Sequence, residues 1–174
     1  MKRILFVFVL SAALFSPVAG SNAEEQRTYM SPYFNFAINY PSSWQARELS
    51  GMVFFLSPRE GNSDGFTENV GVNIEDLAKN PMSLNEYETI SLTNAPSIIP
   101  AFKLIEKNNA KIDGRDAYFM VYTGSAQTRS LKYKSYTFIT DSKAFTLTYS
   151  AEKKNYDKYL KRAELIMKSI KITH

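Results

Sequence analysis

Residues 144–151 read Ala-Phe-Thr-Leu-Thr-Tyr-Ser-Ala. Phe145, Leu147 and Tyr149 fall on one side of a two-residue period, and Thr146, Thr148 and Ser150 fall on the other, which is the pattern of a strand with one face turned into a core. The run Leu131 to Thr140 lies just upstream, and Asp141-Ser142-Lys143 between them reads as the turn of a hairpin. Further upstream, Asp113-Gly114 is a two-residue hairpin signal. It joins a strand-like run, Phe102 to Ile112, to one in which Ala117, Phe119 and Val121 share a face opposite Tyr118, Met120 and Tyr122. Consecutive strands on short turns predict an antiparallel sheet.

The same period appears nearer the N-terminus. Phe34, Phe36, Ile38 and Tyr40 alternate with Asn35, Ala37 and Asn39, and Pro41 with Ser42-Ser43 stops the run. Trp44 follows and is expected to anchor that turn against the core. Met52 to Leu56 is apolar on both faces and ends at Ser57-Pro58; Val70, Val72 and Ile74 alternate again.

Two segments change to helical spacing. Ser83-Leu84-Asn85-Glu86 has the form of a capping box, with Ser83 as N-cap and Glu86 reaching back to it. Leu84, Tyr87, Ser91 and Ala95 then share one helical face, and Pro96 and Pro100 are expected to close the helix. From Lys154 to Ile170, the residues Tyr156, Leu160, Ala163, Met167 and Ile170 recur at steps of four, three, four and three, one apolar stripe. Strands, a helix, more strands and a final helix place the chain in the α+β class.

Residues 1–23 read as a signal peptide. Lys2 and Arg3 precede an apolar run from Ile4 to Phe15, and Ser21-Asn22-Ala23 offers small residues for cleavage after Ala23, with Gly20 as the second candidate. The apolar run is shorter than the roughly 20 residues that cross a bilayer. The pattern predicts export by a Sec-type signal to a periplasmic or extracellular location, without a lipid anchor because no cysteine follows. Lys2 and Arg3 leave with the signal, so Lys plus Arg falls from 21 to 19 against 17 acidic residues, a net charge near +2. That is too small to argue for nucleic acid. Residues 24–32 are polar and expected to be flexible, and 33–174 is expected to be one domain.

The side chains available for chemistry are few. Of 174 residues none is cysteine and one is histidine, His174 at the terminus. Thiolate chemistry and disulfides are excluded, and zinc, which prefers thiolate and imidazole, is disfavoured. Gly61-Asn62-Ser63-Asp64-Gly65 fits the G-x-S-x-G nucleophile pattern, but that pattern needs a strand before it, a helix after it and a histidine base. A strand-like run follows instead. Asn62, Asp64, Thr67, Glu68 and Asn69 are oxygen donors of the kind calcium takes, without EF-hand spacing. Glu75 and Asp76 are adjacent on a strand and point to opposite faces; Asp113 and Asp116 sit at a turn. Lys154, Lys158, Lys161, Arg162 and Lys168 form the outer face of the last helix, to which Lys132 and Lys134 would add; interspersed with Asp157 and Glu164 they read as an ordinary solvated helix face, with an acidic partner or an anionic membrane surface as the alternative. Aromatic residues make up 14% of the chain. Tyr118, Tyr122, Tyr133 and Tyr136 are expected mostly in the core or in cross-strand pairs; the alternative for some of them, which the sequence does not separate from the first, is the lining of an apolar concavity between sheet and helix.

Several segments then occur in a telling order. Phe36-x-Ile38-x-Tyr40-Pro41-x-x-Trp44 is followed by Phe55-x-Ser57-Pro58, Glu68-Asn69-Val70-x-Val72, Ile112-Asp113-Gly114-Arg115-x-Ala117, residues 144–151, Tyr156-Asp157-x-Tyr159 and Ser169-Ile170-Lys171-Ile172. The set resembles the PsbP-like family, named for an extrinsic subunit of photosystem II, over about residues 33–172. The resemblance implies a central antiparallel sheet flanked by helices on both faces, an α/β/α sandwich. It also implies binding or assembly work rather than catalysis. The chain lacks the lipid-accepting cysteine of cyanobacterial members and the longer N-terminal segment of plant members, and so looks more like relatives from non-photosynthetic bacteria.

The resulting expectation is an exported, monomeric, non-catalytic domain with a protein partner, assisting an envelope complex. It has no catalytic, cofactor or metal residues assigned. The alternatives are a photosystem II accessory protein of the thylakoid lumen, a small-ligand carrier, and a hydrolase using Ser63.

Overall fold

A computed structural model describes residues 24–61 and 65–173. In chain order these form β1 (Gln26–Met30), β2 (Phe36–Pro41), β3 (Gln45–Leu49), β4 (Met52–Leu56), β5 (Asn69–Asp76), α1 (Leu84–Ile98), β6 (Lys103–Ile112), β7 (Arg115–Ala126), β8 (Arg129–Thr140), β9 (Lys143–Glu152), α2 (Tyr156–Lys168) and β10 (Lys171–Ile172). Seven strands make one sheet in the order β3-β4-β5-β9-β8-β7-β6, and β1-β2-β10 make a second. Every pairing is antiparallel.

Tight turns set this order. Ser50-Gly51, Asp113-Gly114 and Asp141-Ser142 all have positive φ at both positions, the backbone of a type I′ turn, whose twist matches that of the flanking strands. The longer connection from β5 to β6 carries α1. α1 begins at the expected capping box: the Ser83 N–H donates to Glu86 Oε2 at 2.7 Å, and the Glu86 N–H donates to Ser83 Oγ at 3.3 Å.

The two faces of the large sheet differ. On one, Phe55, Val72, Ala117, Val121, Phe138, Phe145 and Leu147 pack with Phe36 and Ile38 of β2 and with Tyr156, Ala163, Ile166 and Met167 of α2. Trp44 is buried there as expected, edge-on to Tyr159 at 6.1 Å. On the other, Tyr118, Met120 and Tyr122 alternate out of the same strand β7 and pack with Leu84, Leu92 and Ile99. Tyr122 and Tyr133 are register partners, with rings stacked at 4.8 Å.

Some expectations need correction. Residues 24–32 carry β1, whose five residues pair with β2 from Gln26↔Pro41 to Met30↔Ala37. Backbone pairing holds a segment that its polar side chains had suggested was loose. Pro96 lies inside α1 rather than ending it. Proline removes one donor of the last turn, yet the Ile99 N–H still reaches the Ala95 carbonyl at 2.8 Å, so the helix runs on before it stops. β3 and β10 are additional strands. β3 is mostly exposed and β10 has two residues, so neither shows a period in the sequence.

Candidate functional site

A groove of about 340 Å³ lies between sheet and helix beneath α1. Its floor comes from three neighbouring strands: Asn73 of β5, Thr146 of β9, and Ser135 and Thr137 of β8. Register explains the grouping, since Asn73 opposes Thr146, Thr146 opposes Thr137, and Thr137 opposes Tyr118. Tyr118, Met120 and Tyr122 of β7 form one wall; α1 adds Tyr87, Ser91 and Ala95, and Ile99 and Phe102 close the end. Gly124 permits that closure. A Cβ there would stand 2.4 Å from Ile99 Cγ2, and the Ser125 N–H donates to the Pro100 carbonyl at 2.8 Å, tying the end of α1 to β7.

Hydroxyls dominate the floor. Thr137 and Thr146 share a hydrogen bond of 3.1 Å, and Tyr87 donates to Glu75 Oε2 at 2.7 Å. Burial pushes the Tyr118 phenol above its ordinary pKa, against the pull of its hydrogen bonds with Thr137 and Ser91. Burial, with the phenols of Tyr133 and Tyr118 nearby, pushes Tyr122 up further. Tyr87 rises by burial and by its bond to the Glu75 carboxylate. All three phenols therefore keep their protons through the neutral range. Ser135 differs from its neighbours: it is 2% exposed, and its Oγ has no hydrogen-bond partner.

The other candidates are placed elsewhere. Asn62, Ser63, Asp64, His174 and the signal residues 1–23 lie outside the described residues. Of the remaining oxygen donors, Glu68 is buried and accepts from Asn155 Nδ2 at 3.1 Å, while Asn69 donates to the Thr67 carbonyl at 3.0 Å. No group of three metal-binding side chains forms among the described residues. Glu75 faces Tyr87, whereas Asp76 accepts from the Ala78 N–H at 2.8 Å, so the two carboxylates work apart. Asp113 holds Arg115, Lys171 and the Ile172 N–H, and Asp116 pairs with Lys111. α2 starts two residues later than the expected Lys154, which lies in the preceding turn and meets Glu152 at 3.1 Å; on α2 itself Lys158 meets Glu60 at 2.6 Å, Arg162 meets Glu24 at 3.0 Å and Lys168 meets Glu164 at 3.8 Å. Lys134 is also bound to Glu164, and Lys132 sits over the Tyr156 ring at 4.0 Å. Much of that surface charge is thus answered by carboxylates. Among the described residues, no helix is long and apolar enough to cross a membrane.

Ser135, Thr137 and Thr146 escaped the sequence reading as site residues. Their signal was present: Ser135-x-Thr137 and Thr146-x-Thr148 put hydroxyls on the face that Tyr118, Met120 and Tyr122 share, where a sheet under a helix usually carries aliphatic groups.

A Pseudomonas aeruginosa protein of unknown function is similar in structure, with a TM-score of 0.58, 17% identity, and coverage of 80% of this chain and 94% of that one. The solution structure of cyanobacterial PsbP from Synechocystis is similar at a TM-score of 0.58 and 16% identity, covering 91% of this chain and 98% of that one. LpqN, involved in cell envelope biogenesis of Mycobacterium tuberculosis, is similar at a TM-score of 0.58 and 12% identity, covering 89% and 88%. At these identities the likeness concerns the fold. No curated protein matches the sequence significantly. The PsbP family model matches residues 24–172, nearly all of the described domain, and the chain belongs to the PsbP family.

Proposed function

We propose that the chain is an exported, non-catalytic binding protein that serves as an accessory or assembly factor in the cell envelope. The observation that carries this is the composition of the groove beneath α1. It offers hydroxyls and apolar area for recognition, while its phenols, pushed up by burial, hold their protons at neutral pH and serve poorly as bases. Ile90 and Ile98 of α1 and Leu104 and Ile105 of β6 are exposed apolar side chains on consecutive elements, a feature suited to docking. The involvement of the structural neighbour LpqN in envelope biogenesis agrees with the same setting. The separation of α1 and α2 contacts onto alternate side chains of β7 supports the three-layer form, helices on both faces of the sheet. Residues 1–23 would direct export, and the domain would run from residue 24.

A photo-crosslinking side chain at Ile98, expressed in the native host and followed by cell fractionation, tests this. A position-dependent adduct with one envelope protein is the expected result. Protein retained in the cytoplasm without adducts would overturn the reading, as would a hydrolytic activity of the purified chain that vanished with Ser63→Ala. The second reading, a photosystem II accessory protein, rests on the likeness to cyanobacterial PsbP. A photosystem subunit recovered as the adduct in a photosynthetic host would select it.

A further inference from the structure

We infer that the groove beneath α1 is a site for a small uncharged molecule with an apolar body and one group that hydrogen-bonds to Ser135 Oγ. The inference rests on reading the chain as a binding protein and names the ligand class of that site.

Three observations combine. The first is size: about 340 Å³ lies at the lower end of the roughly 300–1,000 Å³ of small-molecule sites. The second is an unmet polar atom. Neighbouring hydroxyls of the floor are satisfied, Thr137 and Thr146 by each other, yet Ser135 Oγ is buried without a partner. Native structures leave few such atoms; among the described residues Trp44 Nε1 and Ser57 Oγ share this state, but neither residue lines the groove, whereas Ser135 does. A ligand that donates to or accepts from this oxygen would fill the one missing bond. The third is charge. Lysine, arginine and histidine are absent from the groove's described lining, and its single carboxylate, Glu75, already accepts from Tyr87. An anion would be buried without a counter-charge, which is costly. A neutral molecule meets no such penalty and gains the apolar contact of Ala95, Ile99, Phe102, Met120 and Tyr122.

The uncharged fluorescent probe N-phenyl-1-naphthylamine has an apolar body and one N–H, and it can be titrated into the purified full domain. The expected result is saturable binding at one probe per chain, with a rise and blue shift in emission. Ser135→Ala should weaken binding about three- to tenfold, the span of one neutral hydrogen bond. Ser91→Trp, which fills the groove from α1, should abolish it with the melting temperature retained. Should Ser91→Trp fail to fold, amide shifts of Ser135, Tyr118 and Ile99 on probe addition to the unmodified domain locate the site instead. No saturable binding, or binding indifferent to both substitutions with no shifts at these amides, overturns the inference. Loss of the probe site alongside an intact Ile98 adduct removes the ligand and leaves the accessory function standing. Turnover of a substrate with intact probe binding does the reverse.

Discussion

Replacing Ser135 with alanine should make the ligand-free domain more stable, although it removes a hydroxyl from the interior. The side chain sits on β8 between Met120 of β7 and Thr148 of β9 in register, 2% exposed, with Oγ unpartnered. A buried polar group without a partner costs about 1–3 kcal/mol relative to its hydrated state. Alanine keeps the Cβ and loses only the oxygen, beside a groove that is already open, so the added cavity is small. A gain of about 1–2 kcal/mol remains. For a domain near 150 residues each kcal/mol moves the melting temperature by about 2–4 °C, giving a rise of about 2–8 °C. Thermal melts by far-ultraviolet circular dichroism, with urea midpoints at 25 °C, would measure it. Thr137→Val is the matched control. It has nearly the same shape, but it strips a hydroxyl that Thr146 and Tyr118 use, and should lose about 1 kcal/mol. A fall in the Ser135→Ala melting temperature, or identical behaviour of the two substitutions, would refute the reasoning, because it would mean that the Ser135 hydroxyl is satisfied.

Asp113 gives a second test. Burial works to raise its carboxyl pKa, but hydrogen bonds from Lys171 and the Ile172 N–H, together with the charges of Lys171 and Arg115, outweigh it and hold the group below its ordinary value. A depressed carboxyl stabilises the fold above its unfolded pKa and loses that contribution as pH falls through the folded one. Asp113→Asn should therefore cost about 0.5–1 kcal/mol at pH 7, the exposed Lys171 being screened by solvent, and progressively less below about pH 4, read from urea midpoints against pH. Asparagine tolerates the positive φ of 49° at this position, so the turn is not the variable. Tyr149→Phe removes the hydroxyl that donates to the Tyr156 carbonyl at 2.9 Å in a fully buried setting. It should cost about 1–2 kcal/mol, with the first turn of α2 losing amide-exchange protection first. Ser83→Ala breaks the capping box of α1 and should cost about 1 kcal/mol in the same urea titration; an unchanged midpoint would mean that packing alone sets the helix start.

The strands most visible in the sequence are those with one buried face. β9 places Phe145, Leu147 and Tyr149 inward without exception, and alternation there is direct physical evidence of a half-covered strand. β6, by contrast, is exposed at nine of its ten positions to some degree, because it lies at the sheet edge. It was found from its turn, Asp113-Gly114, rather than from its pattern. β1 could not be found either way. Gln26 to Met30 is held by backbone bonds to β2, and backbone bonds leave no mark in side-chain composition. The tyrosines of β7 and β8 left core, cross-strand pair and groove lining all open in the sequence; Tyr118 and Tyr122 of β7 line the groove, whereas Tyr136 of β8 joins the main core. The groove's floor was not legible, because Ser135 and Thr146 come together only through the register of β8 on β9, and register is a property of the fold.

The asymmetry between the two faces of the sheet then separates stability from recognition. The α2 face is filled by large side chains at essentially no exposure, among them Phe55, Phe138, Phe145, Leu147 and Met167. Truncations there, such as Leu147→Ala, should cost the 2–5 kcal/mol typical of a close-packed core. The α1 face carries hydroxyl side chains, Ser91, Thr137, Thr146 and Ser135, where the α2 face carries apolar ones. The Thr137–Thr146 pair contributes its hydrogen bond, whereas the unpartnered Ser135 hydroxyl subtracts from the stability of the empty domain. Under the proposed reading, the buried Ser135 hydroxyl is an atom available to a molecule outside the chain. The proposed site therefore lies beneath α1, and it makes no appeal to the basic surface of α2, whose charges are largely met by the protein's own carboxylates.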